Sequence, residues 1–276
     1  MNNRKCNLCG SKSSKVIEIV TKRPELENDY GIAQKEYFRE ICFCKNCGGY
    51  FNHYKKGLLQ KNFYKGLYNN SIKSKHGNLL NRFRKIINLP LTKSDNKNRV
   101  NRIHFLSKRN KKATAIELLD VGSGTGVFPY EMSKKGYNVS CVDPDPAAVD
   151  HIKKNIAVKR AWTGTIKDVP KNILFDLITC NKVIEHLDNP IETAVAFRDH
   201  LKKNGIIYIE APFGEEIVKN VKPADRPEFT IDHLNIFTRS SFRYLAEKSE
   251  LNILFQEVII DPSGKNTIFA LFKKRN

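Results

Sequence analysis

Leu118-Leu119-Asp120-Val121-Gly122-Ser123-Gly124-Thr125-Gly126 sets an apolar run and one acid against three glycines at alternate positions. An apolar strand running into a glycine turn brings backbone close to a ligand, and a helix over Val127 to Lys135 aims its first free N–H groups at that ligand. The spacing selects among ligands. A dinucleotide loop has its third glycine three positions after the second, where Val127 stands. A phosphate loop has Lys and Ser/Thr directly after its last glycine, where Val127-Phe128 stand. The remaining common ligand is S-adenosylmethionine, which carries an amino-acid end, a ribose and an adenine but no phosphate.

Each part of that ligand needs a partner downstream. A second strand, Asn138 to Val142, stops at Asp143, whose carboxylate can accept from both ribose hydroxyls. A third apolar piece, Ala161-Trp162, leads to Gly164-Thr165-Ile166-Lys167-Asp168, expected to wrap the adenine edge through backbone N–H groups and the Thr165 or Asp168 side chain. A fourth strand, Phe175 to Cys180, opens at Asn181 onto Val183-Ile184-Glu185-His186-Leu187, and Asn181 is the candidate for the methionine end.

These residues resemble the class I S-adenosylmethionine-dependent methyltransferases over most of Ala113 to Asn276. The acidic-x-Gly-x-Gly-x-Gly loop matches Asp120 to Gly126, with Gly122, Ser123, Gly124 and Gly126 against the cofactor. The ribose acid matches Asp143, the segment after the fourth strand matches Asn181 to His186, and Leu201-Lys202-Lys203-Asn204-Gly205 before Ile206 to Ile209 matches the entry to the fifth strand. Four matches in chain order carry more than one glycine loop, which alone often marks only a turn. The resemblance implies an α/β fold with a doubly wound, seven-stranded sheet whose last strand, here Thr267 to Phe272, is antiparallel.

The chain of 276 residues has room for one α/β domain and a small appendage. It lacks an apolar run of membrane-spanning length, and Met1-Asn2-Asn3-Arg4-Lys5-Cys6 lacks a secretory apolar segment, so a soluble cytoplasmic protein is expected. Four of the seven cysteines form Cys6-x-x-Cys9 and Cys44-x-x-Cys47, each pair followed by glycine. Two intervening residues let both thiolates reach one metal, and the glycine permits the tight turn. With Lys15 to Val20 and Tyr37 to Phe43 as strands, residues 1–52 read as a zinc ribbon with a structural Zn2+. Two disulfides, or four unrelated thiols, are the other readings. Cys42, Cys141 and Cys180 are expected as buried small apolar residues on strands.

Residues 53–112, between ribbon and methyltransferase domain (113–276), hold seventeen lysines and arginines against one carboxylate, Asp95. Apolar residues at helical spacing predict two or three short helices here, interrupted near Pro90 and over Ser94 to Asn98. These helices form a basic lid in which Tyr64 or Tyr68 lines the cofactor site or simply packs in the core; the resemblance supplies the first option through its Tyr-rich helix. The charge suits a phosphate-bearing partner, whether RNA, a nucleotide-linked sugar or an anionic membrane. Background composition, a solvated basic face, accounts for it equally.

Methyl transfer to a hydroxyl needs an aligned acceptor and a base near neutral pKa. His186, beside Glu185, and His233, in Thr230-Ile231-Asp232-His233-Leu234-Asn235-Ile236-Phe237, are both expected at the carboxyl edge of the sheet, with His233 the sharper candidate. His53, His76, His104, His151 and His200 are read as surface or helical residues without a role. The combination of ribbon, lid and core resembles the zinc-binding sugar methyltransferases, which implies that Asp232-His233 and His186 deprotonate a small-molecule or nucleotide-linked sugar acceptor. That group carries a further C-terminal domain and usually Glu where Asp232 stands. The shorter core also resembles ubiquinone-pathway O-methyltransferases; an RNA methyltransferase and a non-catalytic binding module complete the readings.

Overall fold

The computed structural model describes residues 4–27, 30, 32–54, 78–108, 116–214 and 221–275. Tyr64 and Tyr68, and the lid helix expected around them, lie outside the described residues. Two sheets organise the rest. The first takes β1 (Ser14–Val20), β2 (Arg39–Cys44) and β3 (Tyr50–Tyr54) as an antiparallel meander, and adds β9 (Asn235–Ile236) from far along the chain. The second contains β4 (Glu117–Val121), β5 (Asn138–Asp143), β6 (Arg160–Thr163), β7 (Phe175–Asn181), β8 (Leu201–Pro212), β10 (Leu251–Ile260) and β11 (Asn266–Lys274).

The larger sheet has the order β10-β11-β8-β7-β4-β5-β6. Its pairs from β8 to β6 are parallel, and β11 runs antiparallel to both β8 and β10. The chain leaves β4 toward β5 and β6 on one side, then returns to β7 and β8 on the other. The reversal puts a crevice at the carboxyl ends of β4 and β7, where open α/β sheets bind ligands.

Period-two alternation divides the strand residues between two faces. Leu118 and Leu177 enter a core with Val127, Phe128 and Met132, whereas Leu119 and Ile178 enter the opposite core with Phe197 and Phe242. The first face is covered by α1 (Leu79–Ile87), α2 (Asp95–Lys108), α3 (Val127–Lys134) and α4 (Pro146–Asn155), the second by α5 (Pro190–Asp199) and α6 (Arg239–Lys248). The second core is continuous with the buried Cys6, Leu8, Cys42, Cys44 and Phe51 of the N-terminal sheet.

Three expectations are corrected. Ser94 to Asn98 does not interrupt a helix: the Ser94 hydroxyl accepts from Lys97 N at 3.2 Å and starts α2 at Asp95. Leu201 to Gly205, expected as the entry before a strand starting at Ile206, is already the first part of β8, with a register irregularity opposite Phe175 and Leu177. His151 and His200 are buried rather than at the surface, and His200 Nδ1 lies 3.0 Å from Ile173 O. Cys42, Cys141 and Cys180 are buried on β2, β5 and β7.

Candidate active site

The glycine loop turns because Gly122, Gly124 and Gly126 all adopt left-handed φ values of 76°, 50° and 73°. A Cβ on Gly122 would lie 2.3 Å from Val183 Cγ2, and one on Gly126 2.2 Å from Ile156 Cδ1. Those two glycines are required by packing. Among the described residues, none has an atom within 4 Å of a Cβ placed on Gly124, so this backbone faces the open crevice between them.

Asp120 lies at the base of the crevice. Its Oδ1 accepts from Thr179 Oγ1 at 2.8 Å and Asn181 Nδ2 at 3.0 Å, and Ser123 Oγ donates to the Asp120 carbonyl at 3.0 Å. Burial pushes the Asp120 carboxyl up to about 7, against the opposing hydrogen bonds of Thr179, Ser123 and Asn181 and the charge of Arg99. Asn181 Oδ1 is buried without a partner among the described residues. An unsatisfied acceptor beside a carboxylate suits the cationic amino group of an amino-acid ligand.

Asp143, at the end of β5, accepts from Gly124 N at 2.7 Å and Asp145 N at 2.9 Å. Burial raises its pKa, with those two backbone bonds opposing. Each carboxylate oxygen retains capacity for another donor, as ribose hydroxyls require. Gly164 N donates to Asp143 O at 2.9 Å, which brings the Ile166–Asp168 turn next to that carboxylate. Ile166 is buried, but Asp168 closes on its own turn, accepting from Thr165 N at 2.7 Å and Thr165 Oγ1 at 3.1 Å. Both bonds use Asp168 Oδ2, so they fix the turn's shape while Oδ1 of the exposed Asp168 stays open to another donor.

A cavity of about 650 Å³ opens beside this crevice. Glu185, His186, Asp232 and His233 line one side; Ser94, Asn96 and Arg99 of the α2 region line another. His233 Nδ1 is 2.8 Å from Glu228 O and His186 Nδ1 is 2.8 Å from Asp232 O, with ring centroids 5.0 Å apart. A carbonyl accepts only from a protonated nitrogen, so Nδ1–H is the tautomer assigned to both neutral rings and Nε2 of His233 carries the lone pair. Burial lowers His233 below the ordinary histidine pKa despite the Asp232 charge. Burial would raise Asp232, but His233 and His186 outweigh it and hold that carboxylate below its usual range.

Three further charged groups in or next to the cavity were given no role by the sequence. Lys182, directly after Asn181, has a left-handed φ of 57° and reaches Thr267 Oγ1 at 2.5 Å. Glu210, fully buried on β8, takes Arg99 at 2.6 Å and Arg102 at 2.9 Å from α2. Glu185 is buried with Oε2 unpartnered among the described residues. Only the single acid at an otherwise apolar strand position, Glu210, could have been singled out beforehand.

At the far side of the N-terminal sheet, Cys6 Sγ is 3.7 Å from Cys47 Sγ and Cys9 Sγ is 3.4 Å from Cys44 Sγ. All four sulfurs lie within 4.8 Å of one another and none is in a disulfide. A tetrahedral Zn2+ with bonds of about 2.3 Å has sulfur–sulfur edges of about 3.8 Å, which these distances fit. Gly10 and Gly48, at φ 71° and 72°, close the two turns by donating to Cys6 O and Cys44 O.

The sheet order, with a glycine crevice beside a buried acid at the end of β5, is that of the class I S-adenosylmethionine-dependent methyltransferases. A family model described as a methyltransferase domain matches residues 93–256, more than half of the chain, and the chain belongs to this family. The ubiquinone biosynthesis O-methyltransferase of Rickettsia canadensis is 31% identical over 111 residues, covering 39% of this chain and 47% of that protein. Its namesake from Shewanella halifaxensis is 27% identical over 156 residues, covering 49% of this chain and 63% of that protein. The chain thus matches less than two thirds of the length of either relative. Among solved structures, the Burkholderia thailandensis 1,6-didemethyltoxoflavin-N1-methyltransferase superposes with a TM-score of 0.54 at 14% identity, covering 91% of this chain and all of that one. An S-adenosylmethionine-dependent methyltransferase from Clostridium acetobutylicum gives 0.53 at 17% identity, covering 72% of this chain and 100% of that one. These superpositions share the fold. Among the described residues, no helix is long and apolar enough to cross a membrane.

Proposed function

We propose that this protein transfers a methyl group from S-adenosylmethionine to a hydroxyl of a sugar or glycoconjugate, with His233 as general base. The observation that carries the reading is the histidine pair lining the 650 Å³ cavity, each ring fixed through Nδ1 by a backbone carbonyl, with ionised Asp232 between them. A fixed Nε2 lone pair on a ring of lowered basicity can accept a hydroxyl proton, and the Asp232 carboxylate stabilises the imidazolium that results.

Asp120 and Asn181 hold the amino-acid end of the cofactor, Asp143 the ribose and residues 164–168 the adenine, while Gly122, Ser123, Gly124 and Gly126 shape the loop. When bound, the cofactor supplies an electrophilic methyl on a sulfonium. The polar cavity lining, including Ser94, Asn96, Thr230, Ser263 and Asn266, favours an acceptor with many hydroxyls. Lys93 and Lys265 also line the cavity and can pair with an acceptor that carries negative charge, such as a nucleotide-linked sugar. Cys6, Cys9, Cys44 and Cys47 hold a structural Zn2+: four thiolates leave no coordination position for substrate.

A second reading, a phenolic hydroxyl of the ubiquinone-pathway type, is favoured by the names of the relatives. Transfer of labelled methyl into a fractionated lysate distinguishes the readings. Label in sugar or polysaccharide fractions is expected, and His233→Ala should abolish it while retaining cofactor affinity by calorimetry. Label in lipid-soluble phenols or in RNA would overturn the sugar acceptor; full transfer by His233→Ala would overturn the base.

A further inference from the structure

The segment carrying Asp232 and His233 has an unusual set of backbone partners. Each carbonyl from Phe229 to Leu234 receives a side-chain donor, and five of the six donors come from the N-terminal part of the chain. Arg39 donates to Phe229 O, Tyr54 OH to Ile231 O at 2.9 Å, and Asn7 Nδ2 to Leu234 O at 2.9 Å. Asn52 Nδ2 donates to both Thr230 O at 2.9 Å and His233 O at 2.8 Å. The sixth carbonyl, Asp232 O, takes His186. Glu27 completes the set by accepting from Ile231 N at 3.0 Å.

A backbone that satisfies its carbonyls through side chains takes its shape from those side chains. We propose that the N-terminal sheet is the positioning scaffold for His233, and that Asn52 on β3 is its positioning residue. Asn52 is 3% exposed, and its own Oδ1 accepts from Arg39 Nη1 at 2.9 Å. Arg39 is in turn fully buried against Glu27. One amide therefore bridges two carbonyls three residues apart while anchored at its other end, which a hydroxyl or a carboxylate at this position cannot do. The β3–β9 register, Tyr50 opposite Ile236 and Phe51 opposite Asn235, continues the grip just beyond His233.

This inference rests on the reading of His233 as base, but its test does not need the acceptor. Asn52→Ala removes both donors, and NMR titration of the imidazoles reports the result. Of the groups facing His233, Glu185 and His186 stand on the separate Ile184–His186 turn and keep their places, whereas Asp232 moves with the segment. The His233 midpoint, depressed by burial, should rise to the ordinary value of about 6.5 as the segment relaxes toward water. His151, on α4 and likewise lowered by burial, should keep its midpoint, and S-adenosylmethionine affinity by calorimetry should change less than twofold. An unchanged His233 midpoint, or equal shifts at both histidines, overturns the proposal. If Asn52→Ala does not fold, Tyr54→Phe removes one donor without changing packing; it should raise the midpoint by less, and no rise overturns the proposal. Full methyl transfer by His233→Ala removes the base assignment and leaves the positioning result standing.

Discussion

Gly124 and Gly126 stand two residues apart with the same left-handed backbone and opposite surroundings. Among the described residues, the Cβ of an alanine would strike Ile156 at Gly126 and nothing at Gly124. Both positions carry the left-handed cost, about 1 to 2 kcal/mol for a non-glycine residue. Only Gly126 adds a packing clash. Gly126→Ala is therefore expected to lower Tm well beyond Gly124→Ala, whereas Gly124→Val should weaken S-adenosylmethionine binding at least tenfold with a modest Tm change. Calorimetry beside a thermal melt checks both. Equal affinity in Gly124→Val would mean that the open space over Gly124 is not the cofactor's. The glycine spacing was legible in the sequence, but this division of labour was not, because it depends on Ile156, thirty positions further along the chain.

At the scale of elements, the attachment of α2 to β8 is electrostatic at its active-site end. Glu210 is fully buried, accepts from Arg99, Arg102 and Tyr208, and sits above Asn181 through the β7–β8 register. Burial would raise its pKa, but Arg99, Lys182 and Arg102 together hold it far below the usual carboxylate range. A depressed acid contributes stability that is present above the unfolded pKa of about 4.3 and lost as pH falls toward the folded value. Glu210→Gln leaves two arginines without their counter-charge, a loss of about 3 to 5 kcal/mol for a broken buried pair. At roughly 2–4 °C per kcal/mol for a chain of this size, Tm at neutral pH should drop on the order of 10 °C. Below pH 4 the gap between variant and wild type should narrow. A pH-independent gap, or one under about 2 °C, would remove the clamp from the account. Helix α2 itself was partly misread for a local reason: Ser94-Asp95-Asn96 has the composition of a turn, and the same composition is that of an N-cap.

Across the whole molecule, the N-terminal segment shares one core with the methyltransferase sheet and takes β9, from the far end of the chain, into its own hydrogen-bonded ladder. A piece of about fifty residues has too little core to hold itself without a metal or a partner surface, and this piece has the partner surface of the shared core and four cysteines grouped closely enough to hold a metal. Mass spectrometry of the purified protein should find one zinc per chain. Chelation should release amide protection in β1 to β3 and in residues 229–236 while S-adenosylmethionine still binds. Absence of zinc, or full protection after its removal, would contradict the structural role of the four cysteines.

Apolar runs ending in Asp120, Asp143 and Asn181, and the two cysteine pairs, determined the strand sequence, the cofactor class and a four-thiolate site. These features are local: a strand's alternation, a glycine's backbone freedom and the reach of two thiols across two residues all operate within a few positions. The tertiary structure alone decided which groups meet around His233. Asn52 lies 181 positions before that residue and Asn7 lies 227 before Leu234. Nothing in either neighbourhood marks an asparagine as a clamp, since an amide acquires that role only when two carbonyls from elsewhere in the chain come within about 3 Å of it.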